Sequence, residues 1–203
     1  AGIRAARGEV IIFIDDDTSF GADFISHHLE AHGARVGAVQ GRVIETGGRE
    51  SEQPPWINRW IRFRGGNNCT STGKTNNLTG CNFSLSREAI REVGFFDERY
   101  AGVAIHEDSD YALRVSAAGY ALRFAPAACL VHHRATSGGV GAGGDTLFFD
   151  QSYYYNELIF AKKHFSRLAV WLYRLRLKRR GRRALAKLLV QAEHEADAAL
   201  NRK

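Results

Sequence analysis

Three adjacent carboxylates, Asp15, Asp16 and Asp17, follow directly on the mainly apolar run 9–14 of this 203-residue chain. Open α/β sheets bind ligands at the carboxyl ends of buried strands, and three neighbouring acids at such a position repel one another. A divalent cation would relieve that repulsion, and carboxylate oxygens suit Mg²⁺ or Mn²⁺ completed by substrate phosphates. The alternative is a solvated turn in which Asp17 or Thr18 caps the following helix.

A second acidic cluster, Glu107, Asp108 and Asp110, lies in the first turn of a helix predicted to begin at His106. The helix dipole alone favours acids at this position, so the cluster could be purely structural. The functional interpretation is that one carboxylate acts as a general base and takes a proton from an acceptor hydroxyl. Arg114, one turn after Asp110, is placed to pair with it.

His132 ends an extended segment and is a candidate third metal ligand, because neutral imidazole suits Mn²⁺ better than Mg²⁺. Its neighbour His133 would point the opposite way in an extended chain. The alternative for either residue is a hydrogen-bonded surface histidine.

The elements that must position these residues begin with an α/β pattern. The run 9–14 predicts a strand buried on both faces, as in a parallel sheet. Residues 22–32 predict a short helix with Ile25 and Leu29 one turn apart and Gly33 as its C-cap.

The remaining predicted elements follow in order along the chain. They are a strand at Val36–Glu45, a short helix at 56–63 with a long polar loop after it, a strand at 81–85, a helix at Arg87–Val93 capped by Ser86 and Gly94, the helix from 106 closed by Gly119, a strand at 121–124, the segment 126–131 leading to His132, a glycine-rich loop at 137–145 suited to a lid, and helices from 150 that break at Gly181. We therefore divide the chain into a domain at 1–148 and a helical, basic extension at 149–203.

Composition indicates a globular protein with one substantial core, since 44% of the residues are hydrophobic. The three cysteines are odd in number and far apart, which argues against a disulfide framework or a zinc knuckle. No run of about 18 apolar residues is present, and the first residues lack the apolar core of a signal peptide. We expect a cytoplasmic protein.

The net charge of +6 is concentrated near the C-terminus. Eleven Lys and Arg and no acids lie between Lys162 and Lys187, so the rest of the chain has a net charge of −5. A helix in this basic segment would be amphipathic and suited to the anionic inner face of a membrane, through residues 162–190. A solvated helix docked on the domain is the alternative, while nucleic-acid binding lacks a recognised module.

Taken together, these segments resemble the family 2 glycosyltransferases, which have the GT-A fold. The matching segments are GIRAARGEVIIFIDDDTSF, LTGCNFSLSREAIREVGFFDERY and HEDSDYALRVSAAGYALRFAPAACLVHHRATSGG, and they cover roughly residues 1–140 in the family's order. The resemblance implies a partial Rossmann-like mixed sheet flanked by helices. It also implies inverting transfer of a sugar from a nucleotide-diphosphate donor to a hydroxyl of a polysaccharide or lipid-linked glycan, in cell-envelope biosynthesis.

The resemblance also implies roles for individual residues. Asp17 would bind the donor's metal, Asp15 and Asp16 would lie near the ribose, and Asp108 would be the catalytic base. His132 would be a further metal ligand. Donor and acceptor contacts would come from Gly80, Cys81 and Asn82, with Glu107, Asp110 and Arg114 in support.

One departure from the family concerns the N-terminal side. Family members begin with two or three β–α units that bind the nucleotide base, whereas this sequence starts just before the Asp15 strand. We therefore expect a chain that lacks those units and need not be active alone.

Two other functions are compatible with the sequence. A truncated transferase fold could serve as a non-catalytic binding module. The segment FIDDDTS also resembles the strand-end motif of haloacid-dehalogenase phosphatases, but Ser19 stands where that motif has Thr or Val.

Overall fold

The computed structural model describes residues 2–134, 146–180 and 185–201, which form two compact units. The first unit contains residues 2–57, 63–96 and 111–134, and the second contains residues 58–62, 97–110 and the described residues from 146 onward. The helices and strands are α1 Gly2–Ala5, β1 Val10–Ile14, β2 Thr18–Phe20, α2 Phe24–Ala31, β3 Val36–Glu45, β4 Trp56–Ile57, β5 Phe63–Arg64, β6 Gly73–Lys74, β7 Asn82–Ser86, α3 Arg87–Val93, α4 Glu107–Ala117, β8 Ala121–His132, α5 Thr146–His164, α6 Arg167–Arg180 and α7 Leu185–Asn201.

The first unit is built on a mixed sheet of order β1-β7-β3-β8-β2, with β6 also pairing with β8. Only the β3–β8 pairing is parallel among the described strands. Strand β1 pairs antiparallel with β7 and ends the sheet, and Ile14 at its end is 46% exposed. The predicted parallel strand buried on both faces is therefore wrong, because an apolar run alone does not distinguish a half-buried edge strand.

Aromatic and aliphatic side chains from β1, β7 and the later turns of α4 fill the core of this unit. The rings of Phe13 and Phe83 stack at 4.4 Å, and those of Phe96 and Tyr111 stack at 4.6 Å. Helix α3 begins and ends as predicted, since Ser86 accepts from the Ala89 amide and Gly94 has φ 84°. Burial of these rings packs the later turns of α4 against strands β1 and β7 of the sheet.

Helix α2 buries a different face from the predicted one. Phe24 and His28 are buried, whereas Ile25 and Leu29 are 55% and 50% exposed. The helix ends at His32 with φ −78°, so the predicted glycine C-cap is also wrong. The reason is that His28 has hydrogen-bond partners on β7, which a search for apolar periodicity does not detect.

Strand β8 crosses Pro126 without ending. Its pairing with β3 moves from Gly41↔Ala125 to Arg42↔Cys129, which leaves a bulge on β8. The Asn82 side-chain amide donates to the carbonyls of Arg42 (2.8 Å) and Ala128 (2.9 Å) at this bulge. The predicted strand at 121–124 and the segment 126–131 are therefore one strand.

A helix was expected at 56–63, but β4 and β5 form a hairpin there. Asn58 Oδ1 accepts from the backbone amides of Trp60 and Arg62, and Ile61 has φ 56°. These local side-chain bonds replace the helical ones, so the predicted helix is wrong.

The second unit consists of α5, α6, α7, the segment 97–110 and residues 58–62. Residues 158–161 of α5 are fully buried, and Lys162 of α5 pairs with Asp197 of α7 at 2.6 Å. The predicted helices after residue 150 are confirmed, whereas the predicted lid at 137–145 and the break at Gly181 lie outside the described residues. Across the described part of the chain, none of the helices has the length and apolar character needed to cross a bilayer.

Candidate active site

Asp15, Asp17 and His132 lie together in the first unit. Each offers a ligand atom, and these atoms lie within 4.8 Å of one another. His132 Nε2 is 3.1 Å from Asp17 Oδ1 and 3.8 Å from Asp15 Oδ2. Two of the three predicted carboxylates and the predicted histidine therefore form one cluster with a donor set suited to a divalent metal.

The local backbone explains this clustering. Strand β2 begins directly after the aspartates and pairs with β8, so that Thr18 stands opposite His132. Thr18 Oγ1 donates to the Asp15 carbonyl at 2.8 Å, and the His133 amide donates to the Asp17 carbonyl at 2.9 Å. His133 Nε2 lies 2.9 Å from Ser19 Oγ, so the two histidines have different partners, as the strand alternation predicts.

Glu45, which the sequence reasoning missed, lies beside His132. Its Oε1 is 3.5 Å from His132 Nδ1, and its Oε2 is 2.6 Å from Arg134 Nη2. A carboxylate on the second nitrogen of a metal-binding histidine orients the ring. The sequence placed Glu45 at the end of a predicted strand, but the register of β3 with β8, which puts it opposite His132, is seen only in the structure.

The pKa of the Asp15 carboxyl is raised in the folded protein. Partial burial raises its pKa, and the charges of Asp17 and Asp16 raise it further, while His132 acts in the opposite direction. Asp16 itself is exposed. A cation held by this cluster would favour the ionised form of Asp15.

The three residues predicted to contact the donor differ in solvent exposure. Gly80 is exposed, whereas Cys81 and Asn82 are buried at 5% and 0% exposure. The Asn82 side chain is engaged with His28 and with the bulge carbonyls of the sheet. Its contact with a donor stays a prediction, while its structural role in the sheet interior was missed.

The second acidic cluster begins α4 and lies in the second unit up to Asp110. Asp108 is half-buried, and its Oδ1 accepts from the Ser109 amide at 2.6 Å and the Ser109 hydroxyl at 3.3 Å. The Glu107 side chain reaches solvent, yet desolvation of its carboxyl and the charge of Asp108 raise its pKa. The acids thus differ in environment although they are neighbours in sequence.

Asp110 is fully buried, and its Oδ1 lies 2.6 Å from both Lys163 Nζ and His164 Nε2. Arg114 donates to the carbonyls of Val93 (3.1 Å) and Phe95 (2.9 Å), so it binds the last residue of α3 and the chain that follows. Its predicted pairing with Asp110 stays a prediction. Nothing in the sequence pattern pointed to Lys163 and His164, which are more than 50 residues away from Asp110.

A model described as glycosyl transferase family group 2 matches residues 10–182 of the chain. A galactofuranosyl glycosyltransferase of Leishmania donovani is 35% identical over 85 residues, which is 41% of this chain and 19% of that protein. The chain thus spans about a fifth of the length of this relative.

Two solved structures are similar to the chain. That of GalNAc-T7 with UDP, GalNAc and Mn²⁺ has a TM-score of 0.54 and 14% identity, covering 77% of this chain and 32% of that one. That of the mannosyltransferase PcManGT from Pyrobaculum calidifontis, in complex with GDP-Man and Mn²⁺, has a TM-score of 0.47 and 17% identity, covering 98% and 51%.

Proposed function

Because the chain belongs to glycosyl transferase family group 2 and has the GT-A fold, we propose that its protein moves a sugar from a nucleotide-diphosphate donor to an acceptor hydroxyl with inversion. The predicted family and fold class are confirmed. The observation that supports the reaction is the cluster of Asp15, Asp17 and His132 at a strand end. Such a donor set would bind Mn²⁺ or Mg²⁺ together with a diphosphate.

The residues present fit such a metal. Two carboxylates and an imidazole converge, and Glu45 approaches the second nitrogen of His132. Asp17 and His132 are the proposed ligands, with Asp15 beside them. When bound, the cation would offset the negative charge of the departing nucleoside diphosphate.

Asp108 is the proposed general base. Its carboxylate takes the proton of the acceptor hydroxyl, the oxygen forms a bond to the anomeric carbon, and the bond from that carbon to the diphosphate breaks. Displacement from the opposite face inverts the configuration and needs no covalent intermediate. Asp16, Gly80, Cys81 and Asn82 are proposed to border the donor.

The acceptor is proposed to be a glycan or a lipid-linked glycan at the cytoplasmic face of a membrane. Helix α6 supports a peripheral contact within residues 162–190. Its Ala169, Val170, Tyr173 and Leu177 are buried, whereas Leu168, Trp171 and Leu175 are 57%, 53% and 36% exposed. The exposed residues recur at i, i+3 and i+7 along one face, and Arg167, Lys178 and Arg179 are exposed beside them. Tryptophan, leucine and basic residues on one helix face are typical of interfacial membrane helices.

Turnover of nucleotide sugars tests the proposal. We would measure release of nucleoside diphosphate from UDP- and GDP-sugars by the protein with and without Mn²⁺. Asp108→Asn should lower kcat about 10²–10⁴-fold with donor binding retained, since it removes a general base. Asp17→Asn and His132→Ala should raise the Mn²⁺ concentration needed for half-maximal activity at least tenfold.

The matched control is Asp197→Asn, which removes a carboxylate that is 57% exposed and pairs with Lys162 of the second unit. Its activity should equal that of the unaltered protein. Metal-dependent binding of nucleoside diphosphate without turnover would identify a non-catalytic binding module. Unchanged kcat in Asp108→Asn would refute the assignment of the base.

A further inference from the structure

Within the second unit, one face of the C-terminal half of helix α5 contacts the acidic segment 97–110. The contacts come from residues at positions i, i+1, i+4, i+7 and i+8, which share one face of a helix. These residues are Asn156, Glu157, Phe160, Lys163 and His164. The predicted C-terminal extension thus supplies the packing partner of the segment that contains the proposed base.

The contact begins at Ala101, where the Asn156 amide forms two hydrogen bonds. Asn156 Oδ1 accepts from the Ala101 amide at 3.1 Å, and Nδ2 donates to the Ala101 carbonyl at 2.8 Å. Asn156 is fully buried. This pair of bonds fixes the backbone before the acidic turn.

His106, the residue directly before Glu107, is held by a second contact. Its Nε2 lies 3.2 Å from Glu157 Oε2, and its ring stacks on Phe160 at 4.8 Å. Burial raises the pKa of Glu157, but the hydrogen bond and charge of His106, with hydrogen bonds from Tyr173 and Tyr153, outweigh it and lower the pKa overall. His106 has φ 67°, a conformation that costs energy for a non-glycine residue and persists only where contacts enforce it.

The third contact lies on the other side of the acidic turn. Lys163 Nζ is 2.6 Å from both Asp97 Oδ2 and Asp110 Oδ1, and His164 Nε2 is 2.6 Å from the same Asp110 oxygen. Asp110 has no exposed surface, so its charge depends on these partners. Asp108 therefore stands between two anchored residues, His106 and Asp110.

We propose that Glu157 and Lys163 of helix α5 are positioning residues that orient the general base Asp108 by fixing His106 and Asp110 on either side of it. This inference rests on the proposed glycosyltransferase function. A catalytic group must be held to about 0.5 Å, and residues two positions away on both sides set the helix turn that presents it. Neither positioning residue needs to touch substrate.

Two neighbouring lysines give a matched pair of variants. Lys163→Met removes a cation shared by Asp97 and Asp110 and leaves Arg99 on Asp97, whereas Lys162→Met removes, among the described residues, the ion pair with Asp197. Glu157→Gln keeps an oxygen acceptor and the side-chain volume. His106→Asn keeps a residue that tolerates positive φ while removing the imidazole.

The measurements separate positioning from folding. Calorimetry with UDP or GDP and Mn²⁺ counts the binding-competent sites, and kcat is expressed per such site for the nucleotide sugar that the unaltered protein turns over fastest. We expect Lys163→Met and Glu157→Gln to lower this kcat at least tenfold and to move the acid limb of the kcat–pH profile. The KM for donor and the Mn²⁺ requirement should stay within about twofold, and Lys162→Met should match the unaltered protein.

The pair His106 and Glu157 provides an internal check. If the two residues act through one contact, the double variant His106→Asn with Glu157→Gln should have a kcat per site no lower than that of the slower single variant. Full additivity, or unchanged kcat per site and pH profile in Glu157→Gln, would overturn the proposal. Glu157→Gln decides the question even if Lys163→Met does not fold. Absence of turnover by the whole protein, with every nucleotide sugar tried, would instead refute the proposed glycosyltransferase function.

Discussion

At the scale of single residues, His28 shows how a polar side chain organises the first unit. Its Nδ1 lies 2.9 Å from Ser84 Oγ and its Nε2 3.0 Å from Asn82 Oδ1, with the whole side chain buried. Burial lowers the pKa of His28 from 6.5 to about 4, although the bond to Asn82 acts in the opposite direction. The imidazole is therefore neutral at physiological pH in the folded protein.

This pKa makes stability depend on pH. Between pH 6.5 and about 4 the unfolded state binds a proton at His28 that the folded state does not, so the free energy of unfolding falls as the pH is lowered through this range. The loss is at most roughly 3 kcal/mol. His32 contributes in the same direction, because burial also lowers its pKa.

Urea unfolding at pH 7.5 and pH 5 measures the effect. His28→Gln should have a smaller drop in unfolding free energy than the unaltered protein. His27→Gln, one position earlier on the same helix and not buried, should retain the full drop. Equal drops in both variants would contradict the prediction.

Sequence reasoning found the residues whose chemistry stands out and missed those defined by their partners. Asp17 and His132 were predicted to share a metal site, and they lie in one cluster together with Asp15, which was predicted to lie near the ribose. Glu45 was not predicted at all, and Asn82 was predicted as a donor contact rather than as a residue that bonds the sheet interior. Their observed roles follow from strand register and from the bulge on β8. Register is a tertiary property that no local pattern in the sequence reports.

At the scale of elements, the junction of β3 and β8 depends on Gly41. A Cβ at this position would meet the Ala128 carbonyl oxygen at 2.3 Å and the Asn82 amide nitrogen at 2.4 Å. These are the groups that bond at the bulge. The bulge therefore has no room for a side chain.

Gly41→Ala should destabilise the protein by about 1–3 kcal/mol or more, because the backbone must shift to admit the methyl group. Gly21→Ala is the matched control, since an added Cβ there meets nothing within 4 Å. It should be neutral or slightly stabilising. Thermal unfolding of both variants gives the comparison, and equal melting temperatures would contradict the importance of the bulge.

Prediction of elements succeeded where local signals agree. Helix α3 combines an apolar period with the caps Ser86 and Gly94, and its bounds match the prediction. The segment 56–63 has aromatic residues but no caps, and Asn58 turns it into a hairpin loop. Strand β8 was divided at Pro126 because a proline usually ends a strand unless a bulge accommodates it.

At the scale of the whole molecule, charge is unevenly distributed. The net charge of +6 arises from the basic segment that includes α6, and this helix has an exposed apolar row. One apolar face of α6 packs inside the second unit, and the exposed row is a second apolar face that no described residue buries. An anionic surface would satisfy the exposed row and its basic flanks together.

Sedimentation with lipid vesicles tests this contact. The protein should bind vesicles containing phosphatidylserine more tightly than vesicles of phosphatidylcholine alone, and added salt should weaken the binding. Trp171→Ala should reduce binding severalfold, whereas Trp56→Ala, a 43% exposed tryptophan of the first unit, should not. Equal binding by both variants would show that α6 is not the contact.

The family and fold were predictable because several motifs occur in one order, whereas the division into units was not. The predicted boundary at 148 remains a prediction, and the segment 97–110 groups with the helices after it. This grouping depends on ion pairs and hydrogen bonds between residues about 50 positions apart. Such distant pairs cannot be inferred from the composition of successive segments of the chain.

The contacts of α5 also constrain recombination between related enzymes. Asp110 is a buried carboxylate that pairs with Lys163 of α5, and the partly buried Asp97 pairs with Lys163 as well as with Arg99 of its own segment. A chimera that exchanged 97–110 without 156–164 would leave mismatched buried charges, even if every crossover fell in a loop. The two segments would therefore have to be exchanged together to keep these ion pairs matched.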